Sequence, residues 1–143
     1  MAKSNILEQG ILKLIYQNID LANIGDAAGL QASATTGSLY VALYTTDPTD
    51  VDVGTEASYT DYARVGVIRS AAGWTWTDST ITNTALVTFP TNTGTSQTCT
   101  HIGIRTALTG GDLIYHGILN SALVIENGNI PKFEIGDLAI TES

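Results

Sequence analysis

The stretch Thr98-Cys99-Thr100-His101-Ile102-Gly103-Ile104-Arg105-Thr106-Ala107, the turn Leu108-Thr109-Gly110-Gly111-Asp112, and the limb Leu113-Ile114-Tyr115-His116-Gly117-Ile118-Leu119 together decide the fold class. The first limb alternates, with Cys99, His101, Gly103 and Arg105 on one side and Thr100, Ile102 and Ile104 on the other, the period of a strand. Thr109-Gly110-Gly111-Asp112 reads as a tight hairpin turn, because a Gly-Gly pair supplies the positive φ values that the primed turns need. Two alternating limbs joined by that pair make an antiparallel hairpin.

Outward from it the same period recurs. Upstream, Leu39-Tyr40-Val41-Ala42-Leu43-Tyr44 is a strand apolar on both faces, stopped by Asp47-Pro48, since proline has no donor for an inner ladder. A long polar loop, 47–61, carries Asp47, Asp50, Asp52, Glu56 and Asp61. Tyr62–Arg69 reads as a strand, and Gly73–Thr77 alternates tryptophan on one face with threonine on the other. Thr80–Phe89 follows, with Asn83-Thr84 as its weak point. Downstream, Ala122–Ile125, Lys132–Ile135 and Asp137–Thr141 complete the strands, with turns at Asn127-Gly128 and Gly136-Asp137. Short strands with turn signals at this spacing predict an all-β fold, an antiparallel β-sandwich of jelly-roll-like type, with one short N-terminal helix.

That helix is read from Leu7, Ile11, Leu14 and Ile15, which share one face at i, i+4, i+7 and i+8. Asn5 with Glu8 fits a capping box, with Ser4 as a competing cap. Gly10 inside it costs about 1 kcal/mol relative to alanine. The apolar stripe packs either on the domain's own sheet or on another subunit. Residues 1–38 are the helix and a Gly/Ala/Ser/Thr-rich linker, and 39–143 a β-sandwich domain packing as one structural unit.

The chain has 143 residues, with 6 Lys+Arg against 14 Asp+Glu and a net charge of −8. So few dispersed cations make no basic stripe for nucleic acid or an anionic membrane, and neither partner is expected. Charged residues are only 14%, and threonine fills much of the gap, a surface that suits a protein outside the cell or covered by copies of itself. Glu8, Gln9, Lys13, Gln17, Asn18 and Asp20 interrupt the N-terminal apolar run, so neither a signal peptide nor a spanning helix is read there. One cysteine, Cys99, forms no internal disulfide.

No catalytic signature is read in the sequence, and no cofactor is expected. His101 and His116 lie on opposite limbs of the glycine hairpin and, with Cys99, offer two or three soft ligands without a convincing fourth, so satisfied or solvent-facing histidines are the expectation rather than a zinc site. The spacing of Asp47, Asp50 and Asp52 does not match a calcium loop, and a solvated loop is expected. Trp74 and Trp76, on one strand face, fill a core, anchor a subunit interface or stack on a sugar ring.

The order of these motifs resembles a family of small bacteriophage proteins labelled tail-fibre or minor virion proteins. The likeness runs over about 37–141: the strand from Leu39 to Thr45, the Thr46-Asp47-Pro48 loop through Gly54-Thr55-Glu56, Tyr62-Ala63-Arg64, a tryptophan segment, Phe89-Pro90, Thr100-His101-Ile102-Gly103-Ile104, the Thr-Gly-Gly hairpin into Leu113-Ile114-Tyr115, and Gly136-Asp137. It implies a non-enzymatic virion structural protein made in the host cytoplasm. No long stalk is read in the chain, so the leading expectation is a capsid decoration (cement) protein. Such a protein self-associates, as a trimer on shell geometry, and contacts the major capsid protein or other virion proteins. A tail-fibre or head-fibre component contacting host glycan is the alternative, and a small enzyme using Cys99, His101 and His116 a remote third. The expected interface residues are Leu7, Ile11, Leu14, Ile15, Trp74 and Trp76.

Overall fold

The computed structural model describes all 143 residues. Helix α1 (Asn5–Gln17) precedes nine strands: β1 (Ser38–Tyr44), β2 (Val65–Ile68), β3 (Trp74–Thr77), β4 (Thr80–Asn83), β5 (Val87–Thr88), β6 (Gln97–Arg105), β7 (Leu113–Ile125), β8 (Lys132–Phe133) and β9 (Ala139–Thr141). The fold is all-β, with antiparallel sheets and one N-terminal helix. The chain forms two compact units. One comprises residues 1–38, 68–86 and 133–143, the other residues 39–67 and 87–132.

In the first unit, β3, β4 and β9 make a three-stranded sheet in the order β3-β4-β9. Its register puts Thr75 opposite Thr82, and Thr77 opposite Thr80 and then Thr141, so one face is a threonine lattice. Hydroxyls pair across it at 2.8 Å, Thr75 with Thr84 and Thr80 with Thr141. The other face carries Trp74 and Ile81, both fully buried. Tyr16 of α1 meets Trp74 edge-on at 4.7 Å between ring centroids. Buried Asn83 holds three backbone groups at once: it donates to the carbonyls of Ala85 and Glu134 and accepts from the Leu138 N–H. That commitment ends β4 at Asn83, so the expected strand Thr80–Phe89 is two strands.

The helix starts at Ser4, which makes no side-chain cap bond. The expected capping box is absent because the Glu8 carboxylate instead accepts a 2.6 Å hydrogen bond from Ser79 Oγ. Gly10 sits where a Cβ would collide with the Leu21 side chain, which repays its low helix propensity. At the C-terminus Asn18 turns left-handed (φ 55), and the Arg69 guanidinium donates to Leu14 and Ile15 carbonyls at 2.7 and 2.6 Å. A cation on those orphan carbonyls satisfies them and opposes the helix dipole.

In the second unit a four-stranded sheet runs β2-β1-β6-β7, and β5 pairs with β8. β1 and β6 register Tyr40 with Arg105 and Tyr44 with His101. Its core is Leu39, Val41, Ala42, Leu43, Tyr44, Ala57, Tyr59, Val87, Phe89, Cys99, Ile104 and Ile125. Gly103 admits Tyr44: a Cβ there would lie 2.8 Å from the ring edge. The hairpin glycines have φ 62 and 66 as expected, but its closing pair is Thr106 with Asp112 (3.0 Å), a wider loop than a two-residue turn. The expected strand Tyr62–Arg69 shrinks to β2, because Tyr62 and Arg64 are spent as tethers. The separate strands expected at Leu113–Leu119 and Ala122–Ile125 are one strand with a large bulge.

Candidate functional site

The polar loop after β1 folds back on itself. Thr45 N–H bonds the Thr55 carbonyl (2.9 Å) and Val53 N–H the Pro48 carbonyl (2.8 Å). Asp47 accepts from Thr49 N–H, a local side-chain turn. Thr49 and Asp52 take left-handed φ values of 58 and 55, a conformation that non-glycine residues hold only when their surroundings enforce it.

Two arginines enforce it. Arg105, at the end of β6, makes a forked pair with Asp52 (2.8 and 2.7 Å) and also donates to Tyr44 Oη (2.7 Å) and the Gly111 carbonyl (2.8 Å). Arg64 makes a second fork to Glu56 (2.7 and 2.8 Å) and donates to the Ala107 and Gly110 carbonyls. Tyr62 Oη donates to Glu56 at 2.9 Å and accepts from the Leu43 N–H. One network thus ties the loop to the 106–112 hairpin. Planar guanidinium groups suit this, since each presents fixed parallel donors to a carboxylate.

The charges respond accordingly. The hydrogen bond from Arg105 holds the Asp52 carboxyl below its usual range. Burial alone would raise Glu56, but the bonds from Arg64 and Tyr62 outweigh it and keep its carboxyl low. Burial raises the Tyr62 phenol, and raises Tyr44 against the pull of Arg105. The loop expected to be merely solvated is therefore stapled, and its carboxylates at 52 and 56 are used by arginines rather than offered to calcium. Val51 and Val53 stay 75% and 71% exposed on this rigid support.

His101 and His116 do come together. In the β6–β7 register His116 faces Gly103, two residues from His101, and both rings flank Asp47 at 3.9 and 3.7 Å. His116 Nε2 lies 3.0 Å from Asp50 Oδ1. Cys99 stands apart from this chemistry: it is fully buried, and burial pushes its thiol up to about 11. No group of three or more His, Cys, Asp or Glu side chains is arranged to hold a metal.

In the first unit the helix buries Glu8, Leu12 and Tyr16. Leu7, Ile11, Leu14 and Ile15 lie on the flank beside that face and are each half-buried. Trp74 is fully buried. Trp76 is 37% exposed, and Lys13 Nζ sits 3.4 Å above its ring centroid, a cation–π contact on one face of the ring. With Lys3 paired to Glu142 (2.8 Å) and all three arginines committed internally, the outward charge is acidic.

The profile of the podophage GP4 fiber I protein gp80 family matches residues 2–141. The chain belongs to this family. The match spans the helix, the acidic loop and every strand, so the resemblance read from ordered motifs extends to the N-terminal helix. No curated protein matches significantly. Membership makes the chain a phage structural protein, and the fiber I description fits a fibre role better than the capsid decoration that led the sequence reading. No helix is long and apolar enough to cross a membrane.

Proposed function

We propose that the protein is a structural subunit of the phage fibre, acting through contacts with copies of itself and with neighbouring virion proteins, and contributing to contact with the host surface. The observation that carries this is the fiber I family match over residues 2–141. The geometry is compatible. A stapled loop presenting Val51 and Val53, and a half-buried helix flank at Leu7, Ile11, Leu14 and Ile15, are apolar surfaces on rigid supports, the kind that serve recognition.

For contact with host glycan the two tryptophans offer no shared platform, since Trp74 is buried and Lys13 occupies one face of Trp76. The carboxylate-rich loop beside the two histidines is the better-presented polar surface. Capsid decoration is the competing reading, argued from a sequence in which no stalk pattern is read and compatible with its acidic, threonine-rich composition. Fab fragments against the purified protein separate the two. A fibre subunit predicts that Fab-treated virions lose adsorption while the heads keep their heat resistance. Unchanged adsorption with Fab density over the shell would overturn the fibre reading.

A further inference from the structure

The first part of the loop after β1 rests on β6 and β7 through two imidazoles, one from each strand. His116 of β7 has a carboxylate at each ring nitrogen: Asp50 Oδ1 lies 3.0 Å from Nε2, and Asp47 Oδ1 lies 3.7 Å from Nδ1. The other Asp47 oxygen, Oδ2, lies 3.9 Å from Nε2 of His101 on β6. The Asp47 carboxylate thus bridges the two rings. The remaining His101 nitrogen, Nδ1, is 2.9 Å from Thr100 Oγ1. That hydroxyl donates its one proton to the Thr45 carbonyl at 3.1 Å, so towards His101 it only accepts.

A neutral imidazole carries one N–H and one bare lone pair. On His101 the Thr100 hydroxyl claims the N–H for Nδ1, which leaves the lone pair of Nε2 towards Asp47. On His116 either tautomer leaves one carboxylate facing a lone pair. Only the imidazolium form donates to every acceptor around both rings. The groups facing the rings from the packed elements are these two carboxylates, the Thr100 hydroxyl and, in register with His101 on β1, Tyr44, whose phenol is taken by Arg105. The residue in register with His116 on β6 is Gly103, which brings no charge.

The loop is therefore held in two different ways. Asp52 and Glu56 are gripped by guanidinium groups, which do not titrate. Asp47 and Asp50 meet imidazoles, whose charge ordinarily changes between about pH 5 and pH 8 while carboxylates stay ionised.

We propose that residues 47–51 form a pH-gated latch, docked on β6 and β7 when His101 and His116 are protonated and released when they are neutral, with the arginine-held 52–56 segment as its fixed base. The docked form holds the extra protons, so acid favours it, and docking is lost as pH rises through the imidazole range. This gives regulation to the recognition loop of the reading above, and rests on that reading for its use: Val51 lies between Asp50 and the fork at Asp52, and its position is fixed only while the latch is closed. The Asp50 side chain is 99% exposed, so water screens its pair and the effect is severalfold rather than all-or-none.

Hydrogen exchange of the full chain at about pH 5.5 and about pH 8, corrected for intrinsic rates, tests it. The reporters are the amides of Thr49, Asp52 and Val53, which bond within the loop to Asp47, Thr49 and Pro48. Their protection in the wild type is expected to be about three- to tenfold higher at the lower pH, with little change in the amides of β3 and β4. The gap is expected to vanish in the double variant His101→Gln/His116→Gln. Ring-nitrogen NMR of the wild type follows the protons directly, and their loss is expected over the same pH range as the loss of loop protection. Those wild-type measurements keep the test intact if the double variant fails to fold. Equal protection at both pH values, a gap that survives in the double variant, or rings that titrate apart from the loop's protection overturns the proposal. None of these outcomes bears on whether the protein is a fibre subunit, which the Fab experiment reads separately.

Discussion

Replacing Arg105 with lysine removes the fork that clamps Asp52 while keeping a positive charge. The Arg105 side chain is 9% exposed and that of Asp52 34%. Lysine offers a point charge on a flexible stem and cannot hold Asp52 bidentately while also serving Tyr44 Oη and the Gly111 carbonyl. Losing one partner of a buried pair costs about 3–5 kcal/mol. Here water reaches the Asp52 carboxylate and the lysine keeps its charge nearby, so the expected loss comes down to about 2–3 kcal/mol. For a chain of this length that lowers the melting temperature by about 4–12 °C. Urea denaturation of both proteins gives the difference. A double-mutant cycle with Asp52→Asn isolates the pair, with an expected coupling of about 1–2 kcal/mol. If Arg105→Lys loses less than about 0.5 kcal/mol, or the two substitutions simply add, the loop is not held by this fork and the network argument fails.

The same carboxylates set an acid limit. Asp52 and Glu56 lie below their ordinary values of 3.8 and 4.5 in the folded state, so their contribution is complete above those values and is lost as pH falls through the lowered ones. Stability against urea is expected to drop below about pH 4, and Asp52→Asn should flatten that drop. Trp74→Ala should cost about 3–5 kcal/mol by emptying the Tyr16 contact, whereas Trp76→Ala should cost less than about 1 kcal/mol; comparable losses at both positions would contradict the assignment. Cys99, buried and with its thiol raised to about 11, should ignore a thiol reagent in the native protein and react once unfolded. Rapid native labelling would refute its enclosure.

Much of the fold is legible because it is local. The alternation in Trp74-Thr75-Trp76-Thr77 fixes which face is threonine, and the register with Thr80 and Thr82 confirms it. The Gly110-Gly111 turn, the β6 and β7 limbs and the family's motif order are likewise contained in short stretches. What stays hidden are pairings across long separations. Nothing near Asp52 announces Arg105, 53 residues away, and nothing near Glu8 announces Ser79. The helix illustrates the same limit: the period selects Leu7, Ile11, Leu14 and Ile15, but the buried face is Glu8, Leu12 and Tyr16, because the Tyr16–Trp74 contact and the Glu8–Ser79 bond set the rotation. Two tryptophans on one strand face also differ, one enclosed and one at the rim, which alternation alone does not distinguish. Of the residues expected at an interface, the helix flank and Trp76 remain reachable from outside and Trp74 does not.

Cryo-electron microscopy of the parent virion tests the central claim most directly. The account predicts density for this chain within a fibre, with copies in contact. Density confined to the outer surface of the head shell, with none in any fibre, would contradict it.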